Sequence, residues 1–352
     1  SDLVRPAMLL ARDGIKVEGD LISSLAEVKD RLARYPSSRA IFMHADGTPL
    51  RDGDVLVQPD LATTLYRIVQ RGPKGFYEGE TAERIVNAVR NEGGIMAADD
   101  LRDYKAIERD VVRGKYRDRD IVSMPPPSSG GVHVIQILNM LEGFPLNKSG
   151  PNSAQTIHLM AESMKLAYAD REKWLGDPDF VKNPVAGLVS KKYADELRKR
   201  INVDRATPSK DIKAGDPQAY ESDQTTHYSV MDSAGNAVAN TYTLNFSYGL
   251  GMVAAGTGVL LNNELDDFAA TAGAPNAFGL MGGDANAPGP RKRPLSSMSP
   301  TMVFRNGELE LVTGSPGGSR IITTVLQVIS NVVDHNMNVA EASEAARVHH
   351  QL

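Results

Sequence analysis

Apolar residues recur along this chain with two periods. In the first half a helical spacing dominates: Leu21, Ile22, Leu25, Val28 and Leu32 share one face, and Ile85 with Val89 marks another stripe. Residues 61–69 follow Asp60, a residue type that suits a helix N-cap. Residues 40–44 and 49–57 flank Asp46-Gly47, a good hairpin turn, and are expected to pair as strands. After a proline- and glycine-rich run at 125–131, residues 132–141 read as a buried helix and 157–174 as a long one, with Met160 and Met164 as core filler. The second half adds a strand period. Residues 236–244 alternate, with Val238, Tyr242 and Leu244 on one face and Ala237, Ala239, Thr241 and Thr243 on the other. With 233–236 as a turn, 225–232 and 236–244 are expected to form a hairpin. The apolar run 321–333 reads as a buried helix opening just after Gly317 and Gly318. There is no repeat at solenoid periods and no low-complexity tail.

Between the two halves lies a seam. Residues 202–224 carry Pro208, Gly215, Pro217 and many charges, the composition of an exposed linker, and they run straight into the strand-like segment that starts at Thr225. A threonine released as a new N-terminus carries its own general base, because its α-amine sits close to its hydroxyl. That amine titrates at about 8 when unperturbed, so part of it is neutral near neutral pH. On these residues alone, a loop entering a threonine-rich strand is the plainer reading. Gly317-Gly318, before a helix, suits an oxyanion hole, since glycines admit close backbone approach and amides at a helix start face negative charge. An ordinary turn explains the same pair.

Three polar constellations downstream add little to any core: Leu261-Asn262-Asn263-Glu264-Leu265-Asp266-Asp267-Phe268, Arg293-Pro294-Leu295-Ser296-Ser297-Met298-Ser299-Pro300 and Thr313-Gly314-Ser315-Pro316-Gly317-Gly318-Ser319-Arg320. Together with Ser123-Met124-Pro125-Pro126-Pro127-Ser128-Ser129-Gly130-Gly131, Tyr168-Ala169-Asp170-Arg171 and Leu175-Gly176-Asp177-Pro178-Asp179, they resemble the γ-glutamyltranspeptidases, or glutathione hydrolases, among the N-terminal nucleophile hydrolases. The resemblance covers essentially the whole chain. It implies an α+β fold, the four-layer αββα sandwich of that superfamily. It also implies a precursor that cuts itself between Gln224 and Thr225 into a large and a small subunit that stay together. Residues 1–224 then correspond to the C-terminal part of the large-subunit region and 225–352 to most of the small one, both sharing one αββα core.

Carried over position by position, the resemblance makes Thr225 the nucleophile that attacks a γ-glutamyl amide and Thr243 the hydroxyl that supports it. Asn245, Glu264 and Asp267 hold the substrate α-amino group, Ser296 and Ser297 bind its α-carboxylate, and Gly317 and Gly318 form the oxyanion hole. Some bacterial members have glutamine at the position of Glu264, and Phe278 stands in the lid where some relatives have tyrosine. The family's long initial segment, with an arginine that clamps the α-carboxylate, has no counterpart before Ser1, and relatives continue past Leu352. The chain is therefore expected to be an internal fragment, incomplete at both ends. The implied substrate is glutathione or a related amide, the acceptor is water, an amino acid or a peptide, no cofactor is required, and the location is periplasmic or secreted. Two alternatives are a related N-terminal-threonine acylase, of the cephalosporin or poly-γ-glutamate-processing kind, and an inactive fragment. Asn245, Glu264, Asp267, Ser296 and Ser297 favour the γ-glutamyl reading, because together they recognise an amino-acid head group.

Composition excludes several other classes. With 352 residues, 41% hydrophobic and 24% charged, the chain is an ordinary globular protein able to bury a sizeable core. A net charge of -5 gives no reason to expect nucleic acid, and Arg291-Lys292-Arg293 is too short for an electrostatic footprint. The absence of cysteine removes disulfides, thiol catalysis and cysteine metal sites. His349 and His350 are adjacent, so their side chains diverge, and no third ligand lies at metal-site spacing. His227 with Ser229 or Ser297 lacks the Gly-x-Ser-x-Gly setting of a serine hydrolase, and residues 314–319 lack the lysine of a phosphate-binding loop. No apolar run approaches the ~18 residues of a membrane span, and the charged start Ser1-Asp2-Leu3-Val4-Arg5 is not a signal peptide.

Overall fold

The computed structural model describes residues 2–212, 226–269, 280 and 282–351. Gln224, Thr225 and Phe278 lie outside these residues. The chain divides into two compact units, one of Ser1–Glu108 with Phe246–Asn263, the other of Arg109–Asn245 with Glu264–Leu352.

In the first unit the helical stripe at 21–32 forms two short helices, Asp20–Glu27 and Lys29–Leu32, joined at Val28. Leu25, Val28 and Leu32 are buried with Val17, Phe42, Leu56 and Val253, and Leu21 and Ile22 pack against them. The hairpin expected across 40–57 shrinks to one bridge between Met43 and Pro49. Residues 40–42 instead complete a helix, Pro36–Phe42, whose proline sits in the first turn, where its fixed φ and missing N–H cost nothing. Val55–Leu56 does form a strand, but its antiparallel partner is Ile15–Lys16. Likewise Pro59, not Asp60, opens the helix Pro59–Arg71; Asp60 lies in its first turn, beside the positive end of the dipole. Ile85 and Ala88 of the helix Glu80–Asn91 form a second cluster with Met252 and Ala254.

The second unit is built on a four-stranded antiparallel sheet in the order Glu308–Thr313, Thr301–Arg305, Arg119–Ser123, Val112–Tyr116. All twelve residues of the helix Gly130–Leu141 are buried, which explains an apolar sequence broken only by His133, Gln136 and Asn139. It packs on the sheet and against the helices Ala154–Trp174 and Arg320–Val333. Gly114 permits that approach, since a Cβ there would stand 2.4 Å from Ile135 Cγ2. The long helix starts three residues earlier than its apolar pattern because Ser153 caps it, accepting the Thr156 N–H at 3.1 Å. Met160 and Met164 are buried in it.

The hairpin forms as Thr226–Met231 against Ala237–Tyr242, with six residue pairs in register. Asp232 closes its turn by accepting the backbone N–H groups of Ala234 and Asn236 at 2.9 Å each. The two faces differ in a telling way. Tyr228, Val230, Val238 and Tyr242 lie on the exposed face, while the small and polar His227, Ala239 and Thr241 face inward. The inner face lies beside the strand Glu308–Thr313 and Gly314, where a Cβ at Gly314 would meet the His227 ring at 2.1 Å. The glycine leaves open the space that the His227 ring fills.

Candidate active site

The serine segment 295–299 is cast against the motif 125–131. Ser128 and Ser296 form a parallel bridge in which Ser296 N–H donates to Pro127 O at 2.9 Å and Ser129 N–H donates to Ser296 O at 2.8 Å. The side chains add to it: Ser129 Oγ donates to Ser296 O at 2.8 Å and Ser128 Oγ to Met298 O at 2.6 Å. Gly130 is needed because a Cβ there would lie 2.2 Å from Ser299 Oγ and 2.3 Å from Met298 O. Beneath the loop sits Arg171, only 3% exposed. Its Nε donates to Ser129 Oγ at 2.9 Å, and Nη2 reaches Leu295 O at 3.2 Å and Ser297 Oγ at 3.4 Å. Burial lowers the pKa of this guanidinium, while Tyr168 and the charge of Asp267 pull the other way, and an arginine stays charged regardless. The serine hydroxyls thus stand over a buried cation, a setting that favours an anion.

The acidic residues sit on a single 3₁₀ turn, Glu264–Asp267. Loss of hydration pushes the Glu264 carboxyl up to about 7. Asp267 keeps an opening to the pocket, yet the atoms packed around it strip most of its water, which pushes its carboxyl up to about 8; Glu264 and Asp266 add to the shift and Arg171 opposes it. Two acids placed so close, in so dry a setting, ionise together readily only when a cation joins them. The turn is tied to the serine loop by Asn286, which donates from Nδ2 to Asp267 O at 2.7 Å and accepts the Leu295 N–H on Oδ1 at 2.9 Å. Asn245 enters from the end of the hairpin with φ +73°, a left-handed conformation that asparagine tolerates, and its N–H donates to Thr243 Oγ1 at 2.8 Å.

Gly317 and Gly318 both have positive φ, +123° and +50°, and lead through Ser319 into the helix Arg320–Val333. Arg320 N–H donates to Gly317 O at 2.8 Å and Ile321 N–H to Gly318 O at 3.2 Å, so the loop is fastened to the helix start. The buried Tyr168 hydroxyl donates to Ser319 O at 2.5 Å and anchors the same turn to the long helix. Amides at a helix N-terminus form the positive pole of its dipole, which suits a developing oxyanion.

Thr243, Asn245, Asp267, Ser296, Ser297 and Gly318 line one pocket, together with the apolar Leu280, Met298 and Ile321. Glu264 and Gly317 do not line it, but each belongs to the same turn or loop as a lining residue. The strand that follows Thr225 begins at Thr226, which pairs with Tyr242, the neighbour of Thr243 in sequence. His227 is not part of a triad: its nitrogens meet Thr241 Oγ1 at 2.8 Å and Ser229 Oγ at 3.1 Å, hydroxyls and not a carboxylate. Sequence reasoning missed the roles of Ser128, Ser129, Arg171, Tyr168 and Asn286. All but Asn286 lie in motifs that stood out as a string; Asn286 carries no local signal.

The chain matches the family model described as gamma-glutamyltranspeptidase over residues 1–352. It is 53% identical over 350 residues to the glutathione hydrolase proenzyme of Escherichia coli K12, covering 99% of this chain and 60% of that protein. The crystal structure of Helicobacter pylori gamma-glutamyltranspeptidase superposes with a TM-score of 0.59 at 42% identity, over 60% of this chain and 61% of that one. That of cephalosporin acylase from Bacillus halodurans gives 0.80 at 25% identity, over 97% and 60%. The chain thus spans about 60% of the length of the curated relatives it matches.

Proposed function

Because this chain belongs to the γ-glutamyltranspeptidase family and has the α+β fold of N-terminal nucleophile hydrolases, we propose that the full-length protein is an autoprocessing γ-glutamyltransferase and glutathione hydrolase. The Thr225 hydroxyl attacks the Gln224 carbonyl, the acyl group moves from nitrogen to oxygen, and water opens the resulting ester to free the threonine amine. Residues 1–224 then belong to the large subunit and those from 225 onward to the small one. In turnover the freed amine takes the hydroxyl proton as the oxygen adds to the γ-glutamyl carbonyl. The proton passes to the departing amine, and water or an amino-acid acceptor releases the glutamyl group from the threonine ester. Gly317 and Gly318 donate to the tetrahedral oxyanion, Asp267 with Glu264 and Asn245 holds the α-ammonium, and Ser296 and Ser297 hold the α-carboxylate.

The observation that carries this reading is the single pocket in which Asp267, the serine pair and Gly318 meet. It joins a place for a cation, a place for an anion and an oxyanion donor. A cephalosporin-type acylase is the second reading, supported by the fold likeness over nearly the whole chain. The two acids on one turn speak against it, since an acyl donor without an amine gives them nothing to bind. Periplasmic or extracellular placement follows from the family resemblance; among the described residues no helix is long and apolar enough to cross a membrane.

The test compares a γ-glutamyl anilide with a glutaryl anilide, which lacks the α-amine, on the full-length wild type. A strong preference for the γ-glutamyl donor is expected, and a preference for the glutaryl donor would move the assignment to the acylases. The pH dependence sharpens the comparison. The acids bind an ammonium only when ionised, and in the empty enzyme burial holds Glu264 at about 7 and Asp267 at about 8. Because kcat/KM reports the free enzyme and the free donor, the ratio of the two donors' kcat/KM values should rise with pH through this range and fall again at higher pH, where the γ-glutamyl donor's own α-ammonium loses its proton. The threonine amine serves both donors and so cancels in the ratio. A ratio that is flat between pH 6 and 9 would remove the acids from donor recognition.

A further inference from the structure

Asn286 is 3% exposed and does not line the pocket, yet its side chain both donates and accepts a hydrogen bond. One hydrogen bond runs from its Nδ2 to the Asp267 carbonyl at 2.7 Å, and the other brings the Leu295 N–H to its Oδ1 at 2.9 Å. Its own carbonyl accepts the Ala269 N–H at 3.0 Å. A carboxamide is a short side chain able to donate and accept at once, so one residue clips the acidic turn to the serine loop across a gap that neither segment's local structure spans. The clip is itself held. Lys292 Nζ donates to Ala285 O at 2.9 Å and to Ala287 O at 2.7 Å, pinning the backbone on both sides of Asn286. Gly176 lets that stretch pack closely, since a Cβ there would lie 2.2 Å from Ala285 O.

We propose that Asn286 is a positioning residue that sets the spacing between the cation-binding and carboxylate-binding halves of the pocket, and through it the preference for donors that carry an α-amine. The inference rests on the γ-glutamyl reading. A donor with both head groups needs Asp267 and the serine pair in register, whereas a glutaryl donor uses only the serine side. Loosening the clip therefore penalises the first donor more than the second.

The test uses Asn286→Leu, which keeps the volume and removes both hydrogen bonds, and Asn286→Asp, which keeps an acceptor for Leu295 and removes the donor to Asp267. Both are made in the full-length protein, and each is assayed with the γ-glutamyl and the glutaryl anilide. The ratio of kcat/KM values should fall by about tenfold in either variant, mainly through a higher KM for the γ-glutamyl donor, as expected when an anchoring group moves by a fraction of its bond length. A general loss of stability lowers both donors alike and leaves the ratio in place, and thermal melts report it separately. If Asn286→Leu does not fold, Asn286→Asp answers alone. A wild type that prefers the γ-glutamyl donor, with an unchanged ratio in the folded variants, overturns the inference and spares the functional reading. A wild type without that preference overturns both.

Discussion

Thr225→Ala in the full-length protein is expected to abolish both chain scission and turnover of a γ-glutamyl anilide. Without the hydroxyl there is no attack on the Gln224 carbonyl, so no new α-amine is released, and the same oxygen is missing from the amide-cleaving step. Removing a nucleophile of this kind should lower kcat by roughly 10⁴-fold or more, because the pocket that remains can only bind and orient. Thr225→Ser should keep part of both reactions, since it retains the hydroxyl and loses only the methyl group that stiffens χ1. Denaturing gels with N-terminal sequencing read the scission, and anilide hydrolysis reads the turnover. Near wild-type turnover in Thr225→Ala would place the nucleophile elsewhere.

Asp267→Asn should be the next most damaging change, and a selective one. A charge-assisted hydrogen bond to the substrate ammonium is worth about 1.5–3 kcal/mol, so kcat/KM for γ-glutamyl donors should fall roughly ten- to a hundredfold or more. A glutaryl donor brings no ammonium and should be hardly affected. The geometry supports this selectivity, because Asp267 lines the pocket while its backbone carbonyl, not its side chain, carries the bond to Asn286. The substitution therefore leaves that link to the serine loop in place. Equal losses on the two donors would make Asp267 a structural residue or one that acts on the chemistry itself.

The parts of the fold that could be read from the sequence are those with a long, uniform pattern. The helices Gly130–Leu141, Ala154–Trp174 and Arg320–Val333 follow from long stretches rich in apolar residues, and the 226–242 hairpin from the alternation of 236–244. Short elements defeated the same reasoning. Between 40 and 57, the Asp46-Gly47 turn signal pointed to two long strands, but Pro36 had already committed the preceding residues to a helix, and Phe42 is buried at its end. A two-residue strand such as Val55–Leu56 has no period to detect, and its partner lies some forty positions away.

The site divides along a similar line. Of its lining residues, Asp267, Ser296, Ser297, Met298 and Gly318 sit in motifs that can be recognised as strings. The reason those strings have their shape is visible only in three dimensions. The prolines, serines and glycines of 125–131 looked like a turn, yet they are the mould in which Ser296 and Ser297 are held, 167 residues further on for the Ser129–Ser296 contact. Arg171 stood in a motif with no task attached, and the fold places it under that same loop. Asn286 gave no signal, because a lone asparagine in a loop gains its meaning from partners that only folding brings to it.

Mass spectrometry of the full-length protein, quenched in acid during turnover of a γ-glutamyl donor, tests the nucleophile assignment most directly. The expected result is a peptide that begins at Thr225 and carries one γ-glutamyl group as an ester on that residue. A γ-glutamyl group on any other side chain, or a protein that turns over the donor with the Gln224–Thr225 bond intact, would contradict it.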